Sequence, residues 1–410
     1  MKKELWLFTM RYPFGMRESF LENELPTLCE RYDRVIIIPE QRDGPVRPMP
    51  PGAELRMLLD EPYKAVPFRD LLASPRITWL LIRSLVHDAT SIGALRKQWP
   101  SLRSRIAQLM HRAKVVGDEL MPHYDPKRVT VYAYWTHDWA TVLGIVQERF
   151  SALRYFSRAH GFDMYEAQNR NGWIPFRKFQ FDHVERIYCA SRSGQEHLAA
   201  RFPERGDLFT LARLGTSDHG PGPHDPTGPL KVVSCSFLIP RKRVLLLVQA
   251  LALTERPVHW VHFGGGIEEQ AVADAVARLP KHITVELRGM TSNAGIIEWY
   301  RNNPVDVFLH LSQLEGGVAV AIQEAASFGI PVIATDSGGV REIMAPATGV
   351  LLGNAITAQE VAALLNGFRE TPMATAEFRD GVRAYWNAEF NAAEVYQRFV
   401  DRVEREDSEA

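Results

Sequence analysis

Short runs of apolar residues alternate along the chain with longer stretches in which apolar positions recur at helical spacing. The short runs are rich in Val, Ile and Phe. They lie at residues 5–8, 35–39, 129–134, 154–157, 186–190 and 208–211, and then at 231–235, 260–263, 284–287, 305–309, 332–335 and 350–352. Strand-length runs separated by amphipathic segments are typical of parallel α/β layers. The pattern therefore predicts an α/β protein with two sets of parallel strands.

A segment rich in glycine and proline separates the two sets. Residues 219–229 contain seven Gly or Pro in eleven positions, a composition that sustains neither a helix nor a strand ladder. It predicts a first domain of residues 1–222 and a second domain of residues 223–380. Residues 381–410 carry apolar positions near helical spacing and are predicted to form a closing helix.

Composition and charge narrow the class of protein. Of the 410 residues, 46% are hydrophobic and 24% charged, and the formal net charge is −1, so no overall field favours nucleic acid. Cys29, Cys189 and Cys235 are odd in number and far apart, which predicts buried free thiols in a reducing compartment. The histidines show no metal-binding spacing, and no apolar run reaches the roughly 18 residues of a membrane span. We therefore expect no metal and no membrane-spanning segment.

The most specific motif lies between residues 312 and 342. An apolar run of strand length ends at Leu309, and a helical pattern begins at about Val320. Gly316, Gly317 and Val318 lie between them. Their backbone N–H groups can approach an anion closely, and the positive end of the helix dipole favours its charge. The motif predicts a phosphate-binding loop.

Two carboxylates flank this loop, Glu315 before it and Glu324 within the helix. The segment resembles the retaining glycosyltransferases of family 4. Their signature is a pair of glutamates eight apart, then Glu-Ala, a Gly-x-Pro-Val-Ile-Ala run and Gly-Gly-x-x-Glu. Here the glutamates are nine apart. One more helical residue would rotate them by about 100°, so we expect residues 316–318 to absorb it ahead of the helix.

The resemblance implies the fold and the mechanism. The fold is GT-B, two doubly wound Rossmann-like domains that face a central cleft, with a final helix that crosses back to the first domain. The reaction is transfer of a sugar from a nucleotide donor to an acceptor hydroxyl with retention, without a divalent metal. Glu324 is implied to bind the ribose, Glu315 the donor sugar, and Lys242 the donor diphosphate together with residues 316–318.

The diphosphate site departs from the family pattern. Family members carry an arginine about six residues before the lysine, and Ser236 stands in that place here. Arg241 and Arg243 are both candidates to compensate. Arg288 and Met290 follow another strand, at the place where the family packs the nucleobase.

Candidate residues of the first domain follow its strands. His160 comes directly after a strand-like run, and the resemblance implies that it faces the donor sugar. Arg158 and Asp163 are candidates for acceptor contacts or plain loop charges. Gly15 and Arg17 lie in the loop after the first strand, where glycine permits close approach and arginine can meet a phosphate.

A basic segment predicts a second kind of contact. Residues 89–117 contain no acid, and apolar residues are interleaved with six basic ones: Arg96, Lys97, Arg103, Arg105, Arg112 and Lys114. Such a segment can lie on an anionic membrane or form a solvated helix face. Because residues 1–8 are predicted to be a strand and not a secretion signal, we expect a cytoplasmic protein with peripheral contact at the inner membrane face.

The sequence therefore predicts a hexosyltransferase that uses a UDP- or GDP-sugar. Its acceptor is a glycan or lipid-linked sugar in capsule, exopolysaccharide or lipopolysaccharide synthesis. The alternatives are a nucleotide-sugar 2-epimerase and an inactive homologue that serves as a binding or scaffold subunit. Base, sugar, linkage and oligomeric state are not fixed by these motifs, because pocket shape decides them.

Overall fold

The computed structural model describes residues 3–16, 18–59, 74–169 and 171–409. Two compact units divide the chain, Met1–Ala212 and Arg213–Ala410. Each contains a sheet of parallel strands with helices between them. This is the predicted doubly wound α/β architecture.

The first unit is built on a seven-stranded parallel sheet with the order β3-β2-β1-β4-β5-β6-β7. Helices α1 to α6 connect or flank the strands. The strands are β1 Glu4–Thr9, β2 Arg34–Pro39, β3 Ala53–Leu55, β4 Val129–Ala133, β5 Phe156–Ala159, β6 Arg186–Cys189 and β7 Phe209–Leu211. The helices are α1 Leu21–Arg31, α2 Pro75–Asp88, α3 Ile92–Glu119, α4 Asp138–Gln147, α5 Arg177–His183 and α6 Arg192–Arg201.

The second unit is built on a six-stranded parallel sheet with the order β10-β9-β8-β11-β12-β13. The strands are β8 Leu230–Cys235, β9 Val258–Phe263, β10 Ile283–Leu287, β11 Val307–His310, β12 Val332–Thr335 and β13 Gly349–Leu352. The helices are α7 Val244–Ala252, α8 Glu269–Val276, α9 Asn293–Asn302, α10 Val320–Ser327, α11 Ala358–Asn366, α12 Ala376–Phe390 and α13 Ala392–Glu409.

All twelve predicted strands are present, although one of them is displaced. A thirteenth, short strand was not predicted. The edge strand β3 was not predicted, because three residues of mixed polarity carry no alternation signal. The predicted strand at 154–157 is displaced, since pairing with β4 begins only at Phe156. The central strand β8 of the second unit is buried on both faces, so that Val232 and Val233 belong to different apolar cores.

The unit boundary lies ten residues before the predicted domain end at 222. Residues that follow Ala212 pair with the C-terminal helices: the Thr216 N–H donates to the Phe390 carbonyl at 2.9 Å, and the Ala392 N–H donates to the Thr216 carbonyl at 3.0 Å. The second predicted boundary, 380/381, falls inside α12. Residues 381–410 lie in the second unit, and their crossing to the first domain stays a prediction.

The basic segment forms α3, and two of its six basic residues are used inside the first unit. Arg112 is 4% exposed, and its guanidinium lies 3.1 Å from the Glu40 carboxylate. Arg105 pairs with Asp138. These two residues hold α3 to the start of α4 and to the residue after β2, so they belong neither to a membrane-facing surface nor to a solvated helix face.

The cysteines are free thiols, as expected. Burial raises the pKa of Cys29 to about 11. It raises the pKa of Cys235 to about 12, with the charge of Glu324 acting in the same direction. Burial also raises the pKa of Cys189. At neutral pH all three thiols stay protonated and apolar.

A buried ion pair joins α1 to β5. Arg158 and Glu24 are both fully buried, and their side chains meet at 2.7 Å. The Tyr132 hydroxyl donates to the same carboxylate at 3.1 Å. Burial raises the pKa of Glu24, and Arg158 and Tyr132 act against that rise. Removing one partner would leave a charge uncompensated in the core.

We expect Arg158→Met to lower the free energy of unfolding by about 3–5 kcal/mol, because Glu24 then stays buried without its cation. Arg34→Met is the matched control, since Arg34 pairs with Glu54 at an exposed site and should contribute at most about 1 kcal/mol. Urea unfolding measures both. Equal losses in the two variants would contradict this role for Arg158.

Candidate functional site

Two loops of the second unit meet at the carboxyl end of its sheet. Lys242 ends a short 3-10 turn after β8, and Glu315 lies in the loop after β11. The Lys242 ammonium donates to Oε1 of Glu315. Nε2 of His310, the last residue of β11, lies 2.9 Å from the same oxygen. The structure thus joins two predicted residues and adds His310, which sequence analysis missed.

Glu315 is held as a carboxylate. Burial raises its pKa, but the charge of Lys242 and the hydrogen bond from His310 outweigh burial and hold the pKa well below its usual range. An ionised carboxylate only accepts hydrogen bonds, so Nε2 of His310 must carry the proton. Both cation and imidazole therefore converge on a single oxygen of Glu315.

The loop between the two glutamates is shaped by backbone contact. The helix begins at Val320, so residues 316–319 form a loop ahead of it. Glu315 and Glu324 are therefore not on one continuous helix, as the prediction for the additional residue requires. Gly338 follows β12 with φ +57°, and a Cβ there would lie 1.9 Å from the Glu315 carbonyl oxygen. A Cβ on Gly339 would lie 2.5 Å from the carbonyl carbon of Gly317. The Gly-Gly pair is thus required by the loop that it supports.

The start of α10 leaves backbone donors available. Ala319 occupies the N-cap position and provides no side-chain acceptor. The first N–H groups of a helix have no intrahelical partner and favour a negative charge. Gly316, Gly317 and Val318 lead directly into this helix start, and that this loop binds an anion stays a prediction.

Glu324 lies within α10 and is 6% exposed. Nδ2 of Asn293, the first residue of α9, donates to its Oε1 at 2.5 Å. The charge of Glu324 also contributes to the raised pKa of Cys235 at the end of β8. Asn293 was missed because a single asparagine 31 residues away leaves no spacing signal. Its contact fixes one oxygen of Glu324.

Ser236, which stands where the family has its arginine, lies against the backbone of Gly264. Gly264 follows β9 with φ +133°, and a Cβ there would lie 1.9 Å from the Ser236 carbonyl oxygen. The guanidinium of Arg243 donates to the carbonyl oxygens of Leu311 and Asn354 at 2.5 and 2.7 Å. Arg243 therefore ties loop backbones together. Its guanidinium is used in these contacts and does not replace the missing diphosphate arginine in this arrangement. Arg241 is exposed beside this turn and stays a candidate.

Arg288 and Met290 lie on the loop after β10. The Arg288 guanidinium donates to Glu286 at 2.6 Å, and its side chain is 44% exposed. The Met290 side chain is 55% exposed and lies beside Gly265. Met290 thus forms part of the rim of this loop cluster, while Arg288 is directed into a surface ion pair.

In the first unit, His160 and Asp163 follow β5. Oδ1 of Asp163 accepts the backbone N–H groups of His160 and Gly161 at 2.7 and 3.0 Å, and Oδ2 accepts the N–H of Thr136 at 3.1 Å. Asp163 is fully buried. It therefore positions the loop that carries His160, which differs from both predicted alternatives, an acceptor contact and a plain loop charge.

His160 is 8% exposed. Burial lowers its pKa, and Asp163 acts against that fall. The Asp163 carboxylate lies 3.9 Å from Nδ1, beyond hydrogen-bonding distance. Among the described residues, neither ring nitrogen has a hydrogen-bond partner. A buried neutral imidazole without partners is the kind of group that a ligand hydroxyl would satisfy.

The loop after β1 is organised by Glu18, which sequence analysis missed. Its carboxylate accepts the backbone N–H groups of Met10, Arg11 and Tyr12 at 2.6–3.1 Å and the indole N–H of Trp135 at 2.5 Å. These four bonds hold Glu18 at φ +56°, a left-handed conformation that costs a residue with a Cβ about 1–2 kcal/mol. Glu18 thereby links two loops of the first unit.

Two further predicted residues, Gly15 and Arg158, are placed differently from the expectation. Gly15 has φ +65°, and a Cβ there would lie 2.8 Å from the Asp43 carbonyl oxygen, so the close approach is that of the chain itself. Arg158 is fully buried against Glu24 and does not reach a ligand surface. Arg17 lies outside the described residues. Acceptor contacts from Gly15 and Arg158 are therefore not what the structure supports.

In the described part of the chain, no group of three or more His, Cys, Asp or Glu side chains is placed to hold a metal ion. No described helix is both long and apolar enough to cross a membrane. That the reaction needs no metal stays a prediction.

The Glu315 cluster predicts a pH-dependent contribution to stability. We expect Glu315→Gln to lower the free energy of unfolding by about 3 kcal/mol at pH 7, since Lys242 loses its buried counter-charge. Because the folded pKa is depressed, the gap to wild type is complete above about pH 4.3, the unfolded value. It narrows as the pH falls further. Urea titrations between pH 7 and 3 measure it, with Glu298→Gln, an exposed glutamate on α9, as control; a gap independent of pH would contradict the assignment.

Comparison with known proteins agrees with this geometry. Residues 222–383 match the model of the family described as glycosyl transferases group 1. A GDP-mannose-dependent alpha-mannosyltransferase of Mycolicibacterium smegmatis is 31% identical over 193 residues. That match covers 45% of this chain and 48% of the relative, so the similarity spans about half of each protein.

Solved structures match the fold over nearly the whole chain. Anabaena HepE, solved with UDP, aligns with a TM-score of 0.66 and 16% identity, covering 98% of this chain and all of that one. The lipopolysaccharide outer core galactosyltransferase WaaB aligns at 0.65 with 13% identity over 98% and 99% of the two chains. Sucrose-phosphate synthase of Thermosynechococcus elongatus aligns at 0.68 with 15% identity over both full lengths. The chain therefore has the GT-B fold of these solved structures, and residues 222–383 of its second unit are similar to the glycosyl transferases group 1 family.

Proposed function

We propose that this protein is a glycosyltransferase that moves a hexosyl group from a UDP- or GDP-sugar to a sugar acceptor with retention of configuration. The observation that carries the proposal is the cluster of Lys242, His310 and Glu315 beside the loop at residues 316–318. A buried cation, an ionised carboxylate and a helix start lie together at the carboxyl end of the sheet, where parallel α/β sheets bind ligands.

The donor diphosphate binds at Lys242 and the N–H groups of residues 316–318. These groups stabilise the negative charge that develops on the leaving diphosphate, which is electrostatic catalysis. Glu324, fixed by Asn293, accepts the ribose hydroxyls, and Glu315 accepts hydroxyls of the donor sugar. His160 contributes from the first unit, where its ring nitrogens lack partners among the described residues.

In the reaction the bond from the anomeric carbon to the phosphate oxygen breaks, and a bond from that carbon to the acceptor oxygen forms. The acceptor proton passes to the departing phosphate oxygen, so that charge balances. Attack from the face of the leaving group retains the configuration. Lys242 and the helix start supply the positive charge that this step requires.

The acceptor belongs to surface polysaccharide synthesis in this proposal. WaaB is a lipopolysaccharide galactosyltransferase, which supports a glycan or lipid-linked acceptor. The mannosyltransferase relative is GDP-mannose-dependent and HepE was solved with UDP, so both a GDP-sugar and a UDP-sugar remain candidates for the donor. The protein works in the cytoplasm, where nucleotide-sugars are found.

Nucleotide binding is the first test. We expect one of UDP, GDP, ADP or CMP, or its sugar conjugate, to raise the midpoint of thermal unfolding of the wild type. Saturating ligand at about 100 times its Kd adds roughly 2.7 kcal/mol. Glu324→Ala should abolish that shift, and Glu298→Gln, an exposed glutamate on α9, should retain it. Thermal unfolding with each nucleotide, with matched buffer blanks, makes the measurement.

Turnover separates the alternatives. Release of free nucleotide that depends on an acceptor supports transfer. Conversion of the donor sugar without acceptor would establish the 2-epimerase instead. Binding without either reaction would establish a scaffold subunit, and no nucleotide shift at all would overturn the proposed function.

We further propose that α2 and the first half of α3 rest on an anionic membrane. This retains the predicted membrane contact for part of the basic segment at residues 89–117. Residues 74–103 contain one acid, Asp88, whose side chain is buried. Trp79, Val86, Ile92 and Trp99 are 37–71% exposed. Exposed basic residues are interleaved with them: Arg76, Arg83, Arg96, Lys97 and Arg103. Tryptophans beside cations suit the headgroup region of a bilayer. We call this surface the basic-aromatic face.

Vesicle co-sedimentation tests the basic-aromatic face. We expect binding to vesicles of phosphatidylcholine with phosphatidylserine, and none to phosphatidylcholine alone. Arg83→Gln should weaken binding about fivefold, because each basic residue near such a surface contributes about 1 kcal/mol. Trp79→Ser should weaken it further, while Ile267→Ser, at an even more exposed apolar residue of the second unit, should change nothing. Binding unaffected by anionic lipid would rule out the membrane contact.

A further inference from the structure

Two partly exposed aromatic rings lie at the carboxyl ends of neighbouring strands in the first unit. Trp135 follows β4, and Phe162 follows β5. Their rings stack with centroids 4.9 Å apart and an interplanar angle of 29°. Large aromatic rings usually bury both faces in a core. Here both rings are partly exposed at the carboxyl ends of the strands, where ligands of parallel α/β domains bind.

The pair lies next to His160. The Trp135 ring centroid is 4.4 Å from that of His160, whose ring is also flanked by Phe20 and Tyr134 at 5.6 and 4.8 Å. The imidazole is more than nine-tenths buried, and its nitrogens have no hydrogen-bond partner among the described residues. An uncharged imidazole offers one donor and one acceptor. That combination complements a hydroxyl group, which can both accept and donate.

The aromatic pair is held rigidly by polar contacts beneath it. The indole N–H of Trp135 donates to Glu18 at 2.5 Å, and that carboxylate also holds three backbone N–H groups of the loop after β1. The loop that carries Phe162 is fixed by Asp163. Asn169 Nδ2 donates to the Phe162 carbonyl at 2.7 Å. A fixed pair of rings loses little entropy when a ligand stacks on it.

We propose that Trp135 and Phe162 form an acceptor subsite that stacks on the apolar face of a pyranose ring. The inference rests on the proposed function and deepens it by naming the acceptor class. A pyranose presents a face of C–H groups to an aromatic ring and directs its hydroxyls sideways, toward partners such as His160. An acyclic polyol has no such face. The acceptor end that enters this unit is therefore a cyclic sugar.

The same geometry explains why the subsite belongs to the acceptor. The proposed donor contacts lie on the second unit, at Lys242, Glu315 and Glu324. The aromatic pair lies on the first unit, beside the histidine that faces the donor sugar in the proposed function. Because the donor contacts are already assigned to the second unit, we assign a pyranose that stacks on the first unit to the acceptor.

Saturation-transfer NMR with methyl pyranosides of glucose, galactose and mannose tests the subsite, and ribitol is the acyclic control. We expect transfer to the ring C–H protons of at least one pyranoside in the wild type and none to ribitol. Phe162→Leu, which keeps an apolar side chain but removes the flat face, should lose the signal. Phe162→Tyr should keep it. Equal signals in the leucine variant, or transfer to ribitol alone, would overturn the proposal.

Kinetics distinguishes a failed subsite from a failed function. With the pyranoside acceptor, Phe162→Leu should raise the acceptor KM about tenfold and change kcat little, while Phe162→Tyr stays near wild type. The nucleotide-dependent thermal shift and the slow hydrolysis of donor by water should be unchanged in both variants, which also shows that they fold. If these donor readouts persist but no pyranoside accepts sugar, the inference fails and the transferase proposal stands.

Discussion

Backbone-to-backbone contact at glycines is the constraint on which the second unit's loop cluster depends. At Gly264 and Gly338 any Cβ would come within 1.9 Å of a carbonyl oxygen in a neighbouring loop. The loops after β8, β9, β11 and β12 can therefore lie against one another without intervening side chains. This closeness lets a lysine from one loop and a glutamate from another share a hydrogen bond in a small volume. A larger residue at either glycine would separate the loops and the charged groups together.

In the first unit, buried carboxylates hold the loops that follow the strands. Glu18 and Asp163 each accept several backbone N–H groups from loops that follow the strands. Such bonds replace the regular ladder beyond the strand ends, and charge-assisted bonds to N–H groups are stronger than neutral ones. The two units thus reach ordered loops by different chemistry: glycine where two backbones touch, and buried anions where a loop must fold around a side chain.

Sequence patterns predicted the sheets well because parallel buried strands are continuous apolar runs, and twelve of them stand out. Lys242 and Glu315 became candidates through the family resemblance, but their hydrogen bond to each other is seen only in the folded chain. His310, Asn293 and Glu18 were missed because their partners lie at distant or irregular spacing, and only the folded chain brings them together. The predicted ligand contacts of Arg158 and Gly15 were wrong for a different reason. An arginine or a glycine beside a strand end looks the same in sequence whether it faces a ligand or its own chain.

The three protonated thiols give the protein a practical property. Their raised pKa values make Cys29, Cys189 and Cys235 poor nucleophiles toward maleimides and iodoacetamides at neutral pH. A cysteine introduced on an exposed helix of each unit would therefore react far faster than the native ones. The unmodified chain can serve directly as the background for paired spin labels or fluorophores, and the separation of the two units could be followed in solution without first removing a native cysteine.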